Sequence, residues 1–210
     1  MIDGSKNRRL EQERLREQLI LRAAIEELAQ ADYGGLTVER VAARAGVNKT
    51  TVYRKWETKA DLIRAALFSV LDSFPVGASA GDLRTDLLRI CASALEFIRS
   101  ADGQSLMRLR LLQQPEPELA VIAKEINERR LVELRDIVQS AVARGELSPD
   151  VDVLLLLDML WGALHARVVM KGEVVDNAML ERLVDLLMRG AQPRPKSRKP
   201  APKKRGRIKR

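Results

Sequence analysis

Residues 49–56 concentrate side chains whose hydrogen-bond donors could bind the phosphates and base edges of a nucleic acid. Val52 and Trp56 are apolar and four residues apart, so on a helix both would face the same small core. At about 100° per residue, Thr50 and Arg54 then point most nearly away from that core. The other polar side chains on or beside this outward face are Thr51, Tyr53 and Lys55.

The elements that would position this face form a helix-turn-helix pattern. Thr37 suits the N-cap of a short helix over residues 38–45, and Gly46 suits the left-handed position that ends it. Asn48 can then cap the next helix, over residues 49–56. A unit of this kind reads DNA by laying its second helix in the major groove.

A longer helix is predicted to follow, because Thr58 and Asp61 have the spacing of a capping box. Lys59 lies in its first turn, where the helix dipole disfavours a positive charge. A DNA phosphate near Lys59 would offset this cost and would also meet free backbone N–H groups. We therefore include Lys59 among the candidates for DNA binding.

The pattern of the whole chain predicts helix, without a run of alternating strand pattern. Apolar residues recur at helical spacing, and a linker rich in small residues over 75–81 marks a domain boundary. We predict an all-α fold of about nine helices. It would consist of a three-helix helix-turn-helix domain (1–74), a helical domain for ligand binding and dimerisation (75–190) and a disordered basic tail (191–210).

The net charge of +8 is distributed unevenly along the 210 residues. Residues 194–210 contain ten basic residues and no acid, whereas residues 71–193 contain 14 basic and 19 acidic residues. Charge blocks of this kind suggest a nucleic-acid partner at the ends of the chain and another role in the middle. The tail could add phosphate affinity, contact the minor groove in the manner of an AT-hook, or only increase solubility.

Few residues are available for catalysis or metal binding. The chain has one cysteine, Cys91, one histidine, His165, and no phosphate-binding loop or cluster of metal ligands. We therefore expect no enzyme activity, no cofactor and no metal ion. The N-terminus lacks the apolar core of a signal peptide, and no stretch approaches 18 uncharged apolar residues. We expect a cytoplasmic protein without a membrane helix.

One segment of the chain resembles the DNA-binding signature of TetR-family transcriptional regulators. It reads Thr37-Val38-x-x-Val41-Ala42-x-x-Ala45-Gly46-Val47-x-Lys49-x-Thr51-Val52-Tyr53-Arg54-x-Trp56-x-x-Lys59-x-Asp61-Leu62. Trp56 stands where phenylalanine is commonest and Asn48 where serine often caps, and both fill the same physical role. The all-helical layout after residue 80 also resembles the ligand-binding and dimerisation domain of this bacterial family.

The resemblance implies a role for individual residues. Thr50, Thr51 and Lys55 lie where family members contact bases or phosphates, and Tyr53 and Lys59 match positions that grip the DNA backbone. The full set of predicted DNA-binding residues is Thr37, Asn48, Lys49, Thr50, Thr51, Tyr53, Arg54, Lys55 and Lys59.

Aromatic and apolar residues of the second domain predict an effector pocket, since small-molecule sites are mostly apolar. An alternative for Trp161 and His165, four residues apart on one helix, is packing in the core with the imidazole hydrogen-bonded. The predicted lining residues are Phe97, Met107, Leu111, Trp161 and His165.

The helix predicted over residues 152–170 is apolar on nearly every side, which does not suit a monomer with one solvated face. Paired with a final amphipathic helix over 176–189, it predicts a four-helix interface between two copies related by a two-fold axis. The predicted interface residues are Leu156, Leu160, Leu164, Met179, Leu183 and Leu187.

Two functions remain open at this point. The first is a homodimeric repressor that binds a palindromic operator, reads bases through Arg54 and Thr50, and is released by an unidentified small-molecule effector. The second is an architectural protein that binds double-stranded DNA mainly through its basic tail. Deletion of residues 193–210 separates them, because only the second would lose most of its binding.

Overall fold

The computed structural model describes residues 4–111 and 116–191, and within these ranges it contains nine α-helices and no strand. The predicted all-α fold is confirmed. The predicted tail, apart from Ala191, lies outside the described residues. The helices are α1 (Gly4–Gly35), α2 (Val38–Arg44), α3 (Lys49–Tyr53), α4 (Lys59–Asp72), α5 (Leu83–Arg99), α6 (Ala101–Leu111), α7 (Pro117–Ala143), α8 (Val153–His165) and α9 (Asn177–Ala191), with a π-helical turn (Ala166–Met170) after α8.

The first of two hydrophobic cores is built on α1 and α4. Leu28 of α1 and Ile63 of α4 are fully buried there, and Val41 of α2 and Val52 of α3 close it from the side. The burial of these helices matches the apolar stripes in their sequences. Ile122 of α7 also belongs to this core, although it lies far away in sequence.

Helix α1 is broken near its C-terminal end, at Asp32, whose φ of 55° lies in the left-handed region. Aspartate is one of the few non-glycine residues that adopt this conformation readily. The break turns the chain so that Tyr33 and Leu36 reach the first core.

The second core is enclosed by α5, α7, α8 and α9. Leu87 and Cys91 of α5 pack there with Leu160 of α8 and Val184 of α9. Between the two cores, α5 and α6 meet so closely that a Cβ atom on Gly103 would lie 1.8 Å from the Phe97 carbonyl oxygen. Only glycine fits at this crossing.

The linker between α4 and α5 is held by a buried carboxylate. Asp86 of α5 is 1% exposed and accepts hydrogen bonds from the Ala80 backbone N–H at 2.6 Å and the Ser79 hydroxyl at 2.7 Å. Arg89 also donates to the Ala78 carbonyl. These contacts fix the small-residue segment that the sequence analysis placed between two domains; that boundary itself stays a prediction.

Candidate DNA-binding surface

Two buried side chains set the orientation of α3. Val52 has no exposed surface and Trp56 is 7% exposed, and both belong to the first core. The helix ends three residues earlier than predicted, at Tyr53. The Trp56 N–H nevertheless donates to the Val52 carbonyl at 2.9 Å. Helical geometry therefore continues far enough for both apolar side chains to face inward.

The turn before α3 has the local contacts that its sequence indicates. The Thr37 hydroxyl caps α2 by accepting from the Arg40 N–H at 3.3 Å, and Gly46 has a φ of 67°. Asn48 occupies the N-cap position of α3, but its side chain makes no capping hydrogen bond. The expectation that the Asn48 side chain caps α3 is therefore corrected, and its exposed amide group remains a candidate for contact with DNA.

The outward face of α3 carries the polar side chains that the sequence placed there. Thr50 and Arg54 are exposed, and Thr51 is half-buried beside them. Tyr53 is 43% exposed, with its ring outside the core. The arrangement offers hydroxyl and guanidinium donors to a groove without any rearrangement of the first core. That these residues contact DNA stays a prediction.

Acidic residues lie close to two lysines of this surface. Lys55 forms an ion pair with Glu17 of α1, and the Lys49 ammonium lies 3.8 Å from a carboxylate oxygen of Glu39 on α2. Lys55 also lies over the Trp56 ring, with 5.5 Å from its nitrogen to the ring centroid. Sequence reasoning identified the lysines and missed their acidic partners, because those partners lie on other helices, Glu17 on α1 and Glu39 on α2.

Lys59 makes its contacts within the protein. Its ammonium donates to the Tyr33 carbonyl at 2.9 Å and lies 4.1 Å from the centroid of the Tyr33 ring. The predicted capping box of α4 is present, with Thr58 and Asp61 bonded reciprocally. The carbonyl and ring of Tyr33 thus stabilise the positive charge of Lys59, for which a DNA phosphate was the predicted partner. A DNA contact by Lys59 stays a prediction and would have to replace them.

A buried carboxylate that sequence reasoning missed joins α1 to α2. Glu27 is 1% exposed. Its side chain pairs with Arg40 and accepts from Arg44 at 2.9 and 3.2 Å. A buried carboxylate requires such partners because desolvation of an unpaired charge is costly. Two features of the sequence could have indicated this contact. One is an acid on the apolar face of α1, three residues after Ala24, and the other is a pair of arginines one turn apart in α2.

Helix α7 connects the DNA-binding unit, which we define as α1 to α4, with the second core. One stripe in its first half contacts that unit: Glu118 accepts from the Tyr33 hydroxyl, Glu125 binds Arg64 at 2.8 Å, and Arg129 pairs with Asp72. The side chains in its second half that pack in the other core are Leu134, Ile137 and Ala141. Because α7 is one continuous helix that packs against both cores, a displacement of α7 would affect both.

Burial raises the pKa of Tyr33, and the hydrogen bond to Glu118 raises it further. The phenol is 4% exposed and faces a carboxylate, so its ionised form would place two negative charges together. Tyr33 therefore stays protonated and donates across the contact between α1 and α7.

The residues predicted to line an effector pocket are only partly brought together. The ring of Phe97 lies between Phe74 and Trp161, with centroid distances of 5.3 and 5.6 Å. Met107 is buried and His165 is half-buried. The Leu111 side chain lies outside the described part. Of the predicted pocket residues, Phe97 and Trp161 are thus in ring contact with each other.

Two open clefts instead lie between α5 and the N-terminal end of α9, with volumes of about 320 and 500 Å³. None of the four predicted pocket residues whose side chains are described lines either cleft. Ala92, Asn177 and Leu180 line both. The pocket lined by the predicted residues stays a prediction. A ligand could bind there only if the aromatic rings separate.

The predicted dimer residues lie mostly inside the protomer. Leu156, Leu160, Leu164 and Leu187 are between 0% and 8% exposed and belong to the second core. The physical reason is that α5 and α9 cover this side of α8. These four side chains are therefore not available at the surface, which corrects their assignment to an interface. Met179 and Leu183 are half-buried.

The opposite side of α8 is apolar and exposed. Val153–Met170 is long and apolar enough to cross a membrane by length and composition alone, which the sequence analysis did not expect, and 17% of it is buried. A single segment of this kind is weak evidence for a membrane span. It includes the charged residues Asp158 and Arg167. Exposed apolar side chains here include Leu155 and Met159, at 56% and 55%.

Comparison with protein families covers most of the chain. Residues 20–66 match the family described as bacterial regulatory proteins, tetR family. Residues 78–187 match the tetracyclin repressor-like C-terminal domain. The first match contains the helix-turn-helix, and the second contains all of α5 to α8 and most of α9.

Individual relatives and solved structures agree with these matches. An HTH-type transcriptional regulator of Mycobacterium bovis is 34% identical over 174 residues, or 81% of this chain and 84% of that protein. The DNA-binding transcriptional repressor TetR of Mycobacteroides abscessus is 34% identical over 79% of this chain and 88% of that protein. The crystal structure of the TetR family transcription regulator SCO0332 superposes with a TM-score of 0.59 at 32% identity, over 83% and 97% of the two chains.

The surface of α3, the two cores and these matches lead to one conclusion. The helix-turn-helix has the buried anchors and exposed polar face that DNA reading requires, and the second core matches the domain found with it in known regulators. The chain belongs to the TetR family of DNA-binding transcriptional regulators.

Proposed function

We propose that the protein is a cytoplasmic homodimeric repressor that binds a palindromic operator and is released from it by a small-molecule effector. The observation that carries this proposal is the exposed polar face of α3, held in place by the buried Val52 and Trp56. In this complex Arg54 and Thr50 read bases, while Tyr53 contacts the backbone. A relative of 34% identity bears the name of a repressor.

Dimerisation is supported by the uncovered apolar side of α8. Leu155 and Met159 are four residues apart, and Gly162 continues the same stripe with open space around it. Leu186 of α9 is 68% exposed. A second copy related by a two-fold axis would cover this surface with the same residues. These exposed residues replace the buried leucines of α8 in the proposed interface.

Two-fold symmetry has a consequence for the DNA site. Two recognition helices related by such an axis bind two half-sites of opposite orientation, about one helical turn of DNA or a multiple of it apart. The proposed operator is therefore an inverted repeat. The distance between its half-sites is set by the separation of the two α3 helices in the dimer.

Release by an effector is proposed to act through α7. A ligand that separates Phe97 from Trp161 would enter the second core, where Leu134 and Ile137 of α7 pack. The contacts of Glu118 with Tyr33 and of Glu125 with Arg64 would transmit a shift of α7 to the DNA-binding unit. For release to occur, the ligand has to bind more tightly to the state with the wrong half-site spacing.

Selection of bound sequences from a pool of randomised duplexes tests this function. We expect enrichment of one inverted repeat, and analytical ultracentrifugation should show a dimer on one duplex. Arg54→Ala serves as the control, because it removes one proposed base contact and should relax the enriched sequence at one position. If the wild-type protein enriches no sequence, operator binding is excluded.

The architectural alternative rests on the ten basic residues of 194–210. Deletion of residues 193–210 distinguishes it from operator binding. The repressor should retain its preference for the inverted repeat and lose only sequence-independent affinity. An architectural protein would lose most of its affinity for every duplex, together with its steep salt dependence.

A further inference from the structure

Two cations of the predicted DNA-binding face are held by acids of neighbouring helices. Lys55 pairs with Glu17 of α1, and Lys49 lies near Glu39 of α2. DNA carries about one negative charge per 1.7 Å of helix axis, so acids at this surface oppose its approach. The Glu17 contact is the closer of the two, and the helix-turn-helix motif by itself does not account for it.

The fold does not require the pair of Glu17 and Lys55. The two side chains are 34% and 50% exposed, and exposed pairs of this kind contribute about 0–1 kcal/mol to stability. The position of α1 is fixed instead by Ile20 and Leu21, which are buried within one turn of Glu17. The acid is therefore placed where it affects binding more than folding.

We propose that Glu17 is a specificity-determining residue that withholds Lys55 from DNA other than the operator; this inference rests on the proposed function. On the operator, base contacts by Arg54 hold α3 in one register. A phosphate then lies at a fixed position near Lys55, and the ammonium exchanges the carboxylate for that phosphate. On other DNA no base contact fixes α3, and Lys55 stays paired with Glu17.

The consequence is a difference in the number of phosphates that each complex neutralises. Non-specific affinity comes almost entirely from phosphate contacts, whereas operator affinity also includes base contacts. Withholding one lysine therefore weakens non-specific binding more than operator binding. Glu39 acts in the same direction on Lys49, with a smaller effect because the groups are 3.8 Å apart.

Glu17→Gln tests this proposal in the full chain, with affinities for the operator and for a random duplex measured between 50 and 200 mM salt. We expect random DNA to bind about 3- to 10-fold more tightly at 50 mM salt, with a salt slope steeper by about 0.9. The operator slope should change less, so the ratio of the two affinities falls. Glu11→Gln is the control, since Glu11 is exposed on the same helix and the change in charge is identical.

A second measurement isolates the contact with Lys55. In a Lys55→Gln background, Glu17→Gln should no longer affect the random duplex beyond the effect of Glu11→Gln, because no lysine is released. If Glu17→Gln and Glu11→Gln change both slopes equally in the wild-type background, the proposal is overturned while operator binding stands. If the wild-type protein shows no preferred sequence, the proposed function fails instead.

Discussion

Around α3 the outward side chains are fixed by residues close in sequence, whereas on α8 the buried side is chosen by helices far away along the chain. Val52 and Trp56 are four residues apart, and the Gly46 turn lies directly before them. In the C-terminal domain, Arg84 meets Asp185 across 101 residues and Arg99 reaches the Val175 carbonyl across 76. Local signals therefore define the DNA-binding face, and distant packing defines the surface available to a second copy.

The difference is one of composition as well as distance. The α3 segment carries two apolar residues four apart among polar ones, so its sequence leaves one side that can be buried. The α8 segment is apolar on nearly all sides, so its sequence permits several. Which of its leucines and methionines are buried depends on where α5 and α9 lie.

The largest expected effect concerns a contact between α1 and α2 that is not local. Glu27→Ala removes the contacts of a buried carboxylate with both Arg40 and Arg44, and each such charge-assisted contact contributes about 1.5–3 kcal/mol. Urea denaturation should show this decrease in the free energy of unfolding. Glu26→Ala is the matched control, since Glu26 is 37% exposed and should cost less than about 1 kcal/mol. Equal effects of the two changes would contradict a role for burial.

The next effect tests the surface of α8. Leu155→Asp combined with Met159→Asp should weaken dimerisation by about 2–4 kcal/mol, because both exposed side chains would enter an apolar interface as charges. Sedimentation equilibrium measures the change, and circular dichroism should show an intact fold. Val132→Asp, at a 59% exposed position of α7, is the control. A dimer of unchanged affinity would place the interface elsewhere.

A smaller effect tests the local definition of the DNA-binding face. Arg54→Ala should cost about 1–3 kcal/mol of operator affinity and relax the base preference at one position, since a bidentate contact to guanine is lost. Arg54→Lys keeps the charge and removes the planar donor pair, so it should lose the preference almost as fully. Fluorescence anisotropy on operator variants reports both quantities. Full selectivity in the lysine variant would argue for a phosphate contact.

The smallest effect concerns the contact between the two regions. Tyr33→Phe removes the hydrogen bond to Glu118 and should lower the free energy of unfolding by about 0.5–1.5 kcal/mol. Because burial and Glu118 raise the Tyr33 pKa, the folded protein holds this proton more tightly than the unfolded chain. Stability from Tyr33 is therefore present below about pH 10 and lost as the pH rises above it. Urea denaturation at pH 8 and pH 10.5 should show a larger loss for the wild type than for Tyr33→Phe.

Much of the DNA-binding unit could be predicted because its signals are short-range. Thr37, Gly46 and the Thr58–Asp61 capping box fix helix ends through contacts within a few residues. The spacing of Val52 and Trp56 then determines which side chains face outward. The Asn48 cap failed because a side chain at the N-cap position can also turn to solvent, and the sequence does not choose between these rotamers.

The sequence by itself determined the helical class and the helix-turn-helix, because periodicity and capping act over one or two turns, and its motif resembled the signature of the TetR family. Only the tertiary structure decided that Glu27 is buried, that Lys55 meets Glu17 and that Leu160 faces inward while Met159 faces solvent. Each of these depends on which helices become neighbours. That outcome is set by the packing of all the apolar surfaces together, and no single segment of the chain encodes it.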